Sequence, residues 1–123
     1  MGEQIIKPVS KKETGNTVEM LPGIHRTTMS YNEMIMLCYF FMKKGAKIPL
    51  HSHDAAQTGY VISGKVKFIK GDANSFIADS GSGYVFNANE PHGAEVLEDS
   101  EIVECFSPMR PEYIDSKKGV SYG

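Results

Sequence analysis

Regularly spaced turns are the sequence feature that most limits what this chain can fold into. Gly64, Gly71, Gly81 and the stretch 98–100 each follow a short run of aliphatic, aromatic and β-branched residues. No segment keeps the 3.6-residue period of an amphipathic helix. The predicted strands are residues 18–21, 24–30, 34–42, 48–53, 57–63, 65–70, 75–78, 83–86, 91–97 and 101–106. Short strands at steps of about 8–12 residues predict an all-β sandwich or barrel.

Length and composition narrow the class of protein further. A chain of 123 residues predicts one domain, with an N-terminal arm over about 1–17, a barrel over about 18–107 and a C-terminal tail over 108–123. Thirteen basic and 15 acidic residues give a net charge of −2, and no basic cluster favours nucleic acid as a partner. The longest apolar run, 34–42, is too short to span a membrane and is not N-terminal, so it predicts neither a membrane anchor nor a signal peptide.

Two cysteines give an expectation about the compartment. Cys38 and Cys105 have neither CxxC spacing nor a disulfide-rich context. Both thiols are therefore predicted to be reduced and buried, in a cytoplasmic protein.

Histidines two residues apart mark the candidate site. His51 and His53 lie in an extended segment, where alternation places both rings on one face, roughly 7 Å apart along the backbone. Gln57 opens the next strand, and His92 follows a later turn. Three imidazoles and an oxygen donor make a half-shell of ligands suited to a catalytic metal. Two alternatives stay open: the histidines could simply fill the interior, and Gln57 could be an amide behind the ligands.

The spacing of these residues matches a known motif. Gly45, His51, His53, Gln57 and Gly64 occupy the positions of G-x5-H-x-H-x3–4-E-x6-G, with Gln57 in place of the usual Glu.

A second motif, G-x5-P-x-G-x2-H-x3-N, is matched only at Gly81 and His92, because Asn87, Asn89 and Val96 stand in its other positions. On these two motifs the chain resembles the cupin superfamily, the RmlC-like jelly-roll barrels also called double-stranded β-helices. The resemblance implies a single-domain all-β cupin barrel.

Longer sequence segments narrow the resemblance to one group of cupins. HSHDAAQTGYVISG, NANEPHGAEVLED and ECFSPMRPEY are similar to the KdgF-type cupins of pectin and alginate degradation. Those proteins open the ring of 4,5-unsaturated monouronates, giving a linear keto-sugar acid. The resemblance implies a small anionic sugar substrate, a homodimer and one divalent metal ion, which could be nickel, zinc, manganese, iron or cobalt. The implied metal ligands are His51, His53, Gln57 and His92.

The same resemblance implies catalytic roles for Glu104, Phe106 and Arg110. The family has Asp where this chain has Glu104, and one extra methylene can move a carboxylate by roughly 1 Å, enough to affect turnover. Glu104 and Phe106 share strand parity with Ile102, so all three are expected to face the interior. Glu104 would transfer protons, Phe106 would pack on a sugar face, and Arg110 would bind a carboxylate.

The amide ligand favours non-redox chemistry. Three neutral imidazoles and a neutral amide leave a divalent ion its full charge, which favours an anionic oxygen ligand and makes oxidation of the metal harder. Two other functions stay open: a metal-dependent oxygenase of a small organic substrate, and a non-catalytic ligand-binding cupin, which an exposed Glu104 would favour. Glu104 could also serve only as the ion-pair partner of Arg110, and Arg110 could be solvated.

Some residues have a simpler expected role. Core packing is the preferred interpretation of four methionines, with pocket lining as the alternative. Tyr60 is expected to face outward, because its parity is opposite to that of Gln57. The methionines are Met29, Met34, Met36 and Met42.

Overall fold

A computed structural model describes residues 5–71 and 74–114. Within these residues the chain forms eight strands and one short 3-10 helix, Pro111–Tyr113. The all-β prediction is therefore confirmed. The strands are β1 Thr17–Leu21, β2 Ile24–Tyr31, β3 Met36–Met42, β4 Lys47–His51, β5 Ala56–Lys70, β6 Ser75–Asp79, β7 Gly83–Phe86 and β8 His92–Ser107.

Two long strands, β5 and β8, join the two halves of the fold. The first half of β5 pairs with β7 and with the second half of β8, which also pairs with β3. The second half of β5 pairs with β6 and with the first half of β8, which also pairs with β4. Strands β2 and β1 extend the first half beyond β3. All pairings are antiparallel, as expected for a jelly roll.

The two predicted turns inside these long strands were wrong. At Gly64 and at residues 98–100 the chain continues as a strand with a shifted register instead of reversing. Gly64 has φ +99°, and a Cβ there would lie 2.2 Å from Ser100 Oγ and 2.4 Å from the Asp99 carbonyl oxygen. A bulge that bends both strands, rather than a loop, is what this glycine permits.

Alternation along the strands separates an apolar interior from the outer surface. On β8, Ile102, Glu104 and Phe106 are all buried, as their parity predicted. Tyr60 is exposed, also as predicted, whereas Val61 beside it has no exposure.

The methionines and cysteines follow their positions on the strands. Core packing is confirmed for Met36 and Met42 but is wrong for Met34, which is exposed before β3 begins. Cys38 is buried and Cys105 only partly so, and both are free thiols.

The ends of the described chain are both attached to β2. Lys7 forms a single β-bridge with Tyr31. At the other end, the Thr28 hydroxyl donates to the Tyr113 carbonyl oxygen at 2.6 Å. The predicted arm and tail lie partly outside the described residues, so their bounds stay predictions. Nowhere in residues 5–71 and 74–114 does a helix reach the length and apolar character that crossing a membrane requires.

Candidate metal centre and active site

Three histidines converge at one end of the barrel. His51 ends β4, His53 follows it in the adjoining loop, and His92 begins β8. Their ring centroids are 5.5 Å apart for His51 and His53, 4.5 Å for His51 and His92, and 5.0 Å for His53 and His92. One ligand atom from each ring lies within 4.8 Å of the others.

A register shift in β4 aims His51 at this cluster. Ile48 pairs with Ala94, but His51 rather than Leu50 pairs with His92. The extra residue is a bulge, a common means of redirecting a side chain near an active site. Leu50 is more than half exposed as a result, and His51 faces inward beside His92.

Backbone carbonyls fix the orientation of all three rings. Nδ1 of His51 lies 2.9 Å from the Pro49 oxygen, Nδ1 of His53 2.7 Å from the Ala55 oxygen, and Nδ1 of His92 2.8 Å from the Glu90 oxygen. A carbonyl only accepts, so each Nδ1 carries the proton. The lone pair of each neutral ring is then on Nε2, which is the arrangement of histidines that bind metals.

The surroundings of two Nε2 atoms, those of His53 and His92, test whether a cation fits among these rings. Within the described residues, Nε2 of His53 is buried and has no hydrogen-bond partner. Nε2 of His92 lies 3.1 Å from Gln57 Oε1, although neither atom has a proton to share when the ring is neutral. Ligands about 2.1 Å from one ion stand about 3.0 Å apart at right angles and about 4.2 Å apart when opposite. The residues therefore fit a divalent cation once the ligand atoms, which lie within 4.8 Å of one another, move closer together by roughly half an ångström or more.

Burial keeps the three rings neutral. It lowers the pKa of His51, His53 and His92 below the ordinary value, while the backbone carbonyls partly oppose the shift. The positive charge of Arg110 lowers the pKa of each ring further. Neutral rings are the form that binds a metal.

A hydrogen-bonded chain leads from Gln57 into the barrel. Gln57 Nε2 donates to Glu104 Oε2 at 2.9 Å, and the Tyr84 hydroxyl donates to the same oxygen at 2.6 Å. The first bond orients the amide so that its oxygen faces His92. Both hydrogen bonds of Glu104 use Oε2, and within the described residues Oε1 has none.

The burial of Glu104 sets its acidity. Burial raises the pKa of Glu104 above its ordinary value, while the donors Tyr84 and Gln57 and the charge of Arg110 lower it in part. Among the described ion pairs, none joins Glu104 to Arg110, so the simple ion-pair role for Glu104 is wrong. A buried carboxyl group with a raised pKa is typical of general acid–base catalysts.

Arg110 and Phe106 are both buried beside the histidines. The Phe106 ring lies 6.1 Å from that of His53, and the Arg110 guanidinium lies 5.5 Å from the Phe106 ring. Arg110 donates to the Tyr113 hydroxyl at 2.8 Å and to Glu112 at 2.9 Å, while its Nε is buried without a partner in the described part of the chain. Arg110 is 4% exposed, so its interpretation as a solvated residue was wrong.

A second buried arginine lies behind Arg110. Arg26, on β2, is 1% exposed, and its guanidinium lies 4.4 Å from the Tyr113 ring, which Arg110 approaches to 4.2 Å. Arg26 Nε donates to Thr28 Oγ1 at 3.1 Å, and its Nη1 has no partner within the described residues. Arg110 forms an ion pair with Glu112, whereas none of the described ion pairs involves Arg26. Because each guanidinium also keeps an unused donor, this end of the barrel can attract an anion.

One pocket joins most of these groups, although neither His53 nor Arg26 lines it. It encloses about 40 Å³ and is open to solvent at its mouth. The enclosed part has room for only a few water molecules, so a sugar ring needs the mouth as well. The lining includes His51, Gln57, His92, Glu104, Phe106, Arg110 and Tyr113.

The sequence reasoning missed several members of this site. Tyr84 hydrogen-bonds Glu104, Phe86 stacks on His92 with ring centroids 4.5 Å apart, and Arg26 and Tyr113 pack beside Arg110. The inward parity of Tyr84 and Phe86 on one strand was a usable signal. No local signal pointed to Arg26, because its role depends on contact with the C-terminal segment.

The fold and this cluster of three histidines define a class of protein: the chain belongs to the cupin family, whose domain model matches residues 38–107. It is 31% identical over 98 residues to the pectin degradation protein KdgF of Dickeya dadantii, an alignment that covers 78% of this chain and 88% of that protein. The recognition of the chain as a KdgF-like cupin is thus confirmed.

Solved structures share the architecture. An RmlC-like cupin from Shewanella frigidimarina superposes with a TM-score of 0.81 at 22% identity, covering 88% of this chain and 96% of that one. KdgF from Halomonas sp. superposes with a TM-score of 0.78 at 25% identity, covering 85% and 96% respectively. The first similarity shows the fold alone, and the second agrees with the relationship seen in the sequence.

Proposed function

We propose that this protein is a metal-dependent enzyme that opens the ring of 4,5-unsaturated monouronates to give linear keto-deoxyuronates. One observation carries the proposal: histidine Nε2 lone pairs, a buried carboxyl group and a buried guanidinium meet in a single pocket. The similarity to a pectin degradation protein supports an acidic sugar as the substrate.

The proposed reaction is an isomerisation. In the substrate the ring oxygen joins C1 to C5, and C5 is doubly bonded to C4. Opening breaks the bond between C1 and the ring oxygen, removes the proton of the C1 hydroxyl and adds a proton at C4. C1 becomes an aldehyde and C5 a ketone, with no atom or electron gained or lost. The protein must therefore supply a proton acceptor and donor, but no oxidant.

Glu104 is the group proposed to carry the proton. Its Oε2 is occupied by two donors, Tyr84 and Gln57, which leaves Oε1 for the substrate. Its raised pKa is closer to neutral pH than that of an ordinary glutamate, which suits a group that must both accept and donate a proton. Glu104 accepts the proton of the C1 hydroxyl and returns one to C4.

Arg110 and Phe106 are proposed to position the sugar. The unpartnered Nε of Arg110 is a donor for the substrate carboxylate, and Phe106 offers an apolar face beside it. His51, His53, Gln57 and His92 are the residues proposed to hold the metal. A bound divalent ion would supply Lewis-acid polarisation of a sugar oxygen.

The test follows the ultraviolet absorbance of the ring double bond. Unsaturated monouronate is incubated with metal-loaded protein, with chelated protein, with chelated protein given back divalent metal, and with buffer alone. Loss of absorbance should be fastest with loaded protein and should return on metal addition. Equal decay in all four samples would remove the uronate assignment.

Competing functions are measured in the same samples. An oxygenase would consume oxygen and contain iron, so an oxygen electrode and metal analysis are included. The non-catalytic alternative was to be favoured by an exposed Glu104, but Glu104 is 9% exposed. That condition is not met.

We also propose that the protein forms a homodimer. Ile5 and Ile6 of the N-terminal segment lie along a groove with Met34, and all three are exposed and apolar. Light scattering should give twice the chain mass, and Ile6→Lys should lower it towards that of one chain. A wild-type mass of 13.6 kDa would refute the dimer.

A further inference from the structure

Three residues form a row across neighbouring strands. Gly59 of β5 pairs with Tyr84 of β7 on one side and with Glu104 of β8 on the other. A Cβ on Gly59 would lie 2.3 Å from both Cζ and the hydroxyl oxygen of Tyr84. The phenol therefore passes directly over the glycine, and its hydroxyl reaches Glu104 Oε2 at 2.6 Å. The absence of a side chain at Gly59 is what permits this contact.

The Tyr84 ring is held firmly in place. It is 7% exposed and packs against Phe68 and Phe86, with ring centroids 4.4 Å and 5.9 Å away. Its hydroxyl is thus a donor at a fixed point. Because Gln57 donates to the same oxygen of Glu104, the carboxylate is fixed from two directions. Oε1 is then the oxygen left for the pocket, which Glu104 lines.

We propose that Tyr84 is a positioning residue for the Glu104 carboxylate and that Gly59 makes this possible. The inference rests on the proposed function and deepens it. A glutamate side chain has one more rotatable bond than an aspartate, so it needs more fixing to hold a proton-transfer geometry. The Tyr84 hydroxyl supplies that restraint, and misplacement of a reacting group by about 1 Å can cost about a hundredfold in rate.

The main test is Tyr84→Phe, which removes the hydroxyl and keeps the ring. With metal-loaded protein we expect kcat to fall about 10- to 100-fold, while KM stays within twofold and the dissociation constant for Ni²⁺, from calorimetry, stays within threefold. Tyr60→Phe is the matched control, since Tyr60 is an exposed tyrosine on the same strand as Gly59, and all three values should stay at wild-type level. A merely structural role for Tyr84 would lower stability without this split between kcat and KM.

Gly59→Ala provides a second route to the same change. Its methyl group would displace the phenol while leaving the hydroxyl and Glu104 chemically intact. We expect the same loss of kcat at unchanged KM, and no further loss when Gly59→Ala is combined with Tyr84→Phe. Wild-type kcat in Tyr84→Phe would overturn the proposal.

A measurement without substrate separates this inference from the proposed function. In metal-free protein, urea unfolding is compared for Tyr84→Phe, Glu104→Leu and the double variant. In the wild-type background Tyr84→Phe removes a hydrogen bond to a carboxylate, so it should raise the unfolding equilibrium constant about tenfold or more. In the Glu104→Leu background that bond is already absent, so the same substitution should raise the constant about threefold or less. Equal effects in both backgrounds would overturn the inference even if the wild type is active. An inactive wild type that shows this coupling would refute the uronate reaction but not the restraint on Glu104.

Discussion

Gln57→Glu is the substitution for which the structure gives the most definite expectation. The wild-type amide donates to Glu104 Oε2 over 2.9 Å. A carboxylate at position 57 would instead face a second carboxylate. At an effective dielectric constant of about 20, two unit charges that close repel by about 6 kcal/mol, equivalent to about four pKa units. The metal-free variant is therefore expected to keep one shared proton on the pair at neutral pH.

With metal bound, the substitution also changes the charge presented to the substrate. A carboxylate ligand lowers the net charge of a divalent centre from +2 to +1. At about 4 Å and the same dielectric constant, one unit of charge is worth about 4 kcal/mol to a bound anion, or nearly a thousandfold in kcat/KM. We expect the metal to remain bound and kcat/KM to fall between a hundredfold and a thousandfold.

The assay compares metal content and kcat/KM on unsaturated monouronate for wild type and Gln57→Glu. Tyr60→Glu is the control, because it adds the same charge to the outer face of the same strand. Its kcat/KM should stay within threefold of the wild-type value. If Gln57→Glu also stays within threefold with its metal bound, the charge argument is wrong.

Four other predictions need only simple measurements. Added Ni²⁺ should raise the thermal midpoint progressively and a chelator should reverse this, since the ion binds the folded state; a constant midpoint would contradict the site. Burial raises the pKa of Cys38 to about 12, so maleimide should label Cys105 in native protein and Cys38 only after unfolding. Tyr39 donates to Glu101 and lowers its pKa, so the stability that Tyr39→Phe removes should be constant above about pH 5 and shrink as pH falls below about 4. Thr28→Val should cost about 1–3 kcal/mol in urea unfolding, because the buried hydroxyl accepts from Arg26 and donates to the C-terminal segment.

Features set by local spacing could be predicted from the sequence. The separation of His51, His53, Gln57 and His92 is a one-dimensional pattern, and the structure places all four around one point. Strand parity likewise predicted that Glu104 faces inward. Each of these inferences needs only the two-residue repeat of a strand or a fixed motif length.

Features set by the pairing of distant strands could not be predicted. Gly64 has the composition of a turn, and only its contact with Ser100 shows that the strand bends there instead of ending. Tyr84 and Glu104 are 20 residues apart, and their hydrogen bond depends on both strands pairing with Gly59. The role of Arg26 could not be predicted for the same reason, because its partner Tyr113 comes from a distant part of the chain. Single-sequence patterns do not contain strand register over such separations.

The carbonyl groups that hold the three imidazoles share one property. Each belongs to a residue two positions away from its histidine: Pro49, Ala55 and Glu90. Because the acceptors are main-chain atoms, the bonds themselves do not depend on the chemistry of the side chains at these three positions. Each ring is oriented by a carbonyl of its own tripeptide, so the direction of its Nε2 depends on only a few neighbouring residues. Such a centre can persist while the surrounding wall of the barrel diverges to accept other molecules.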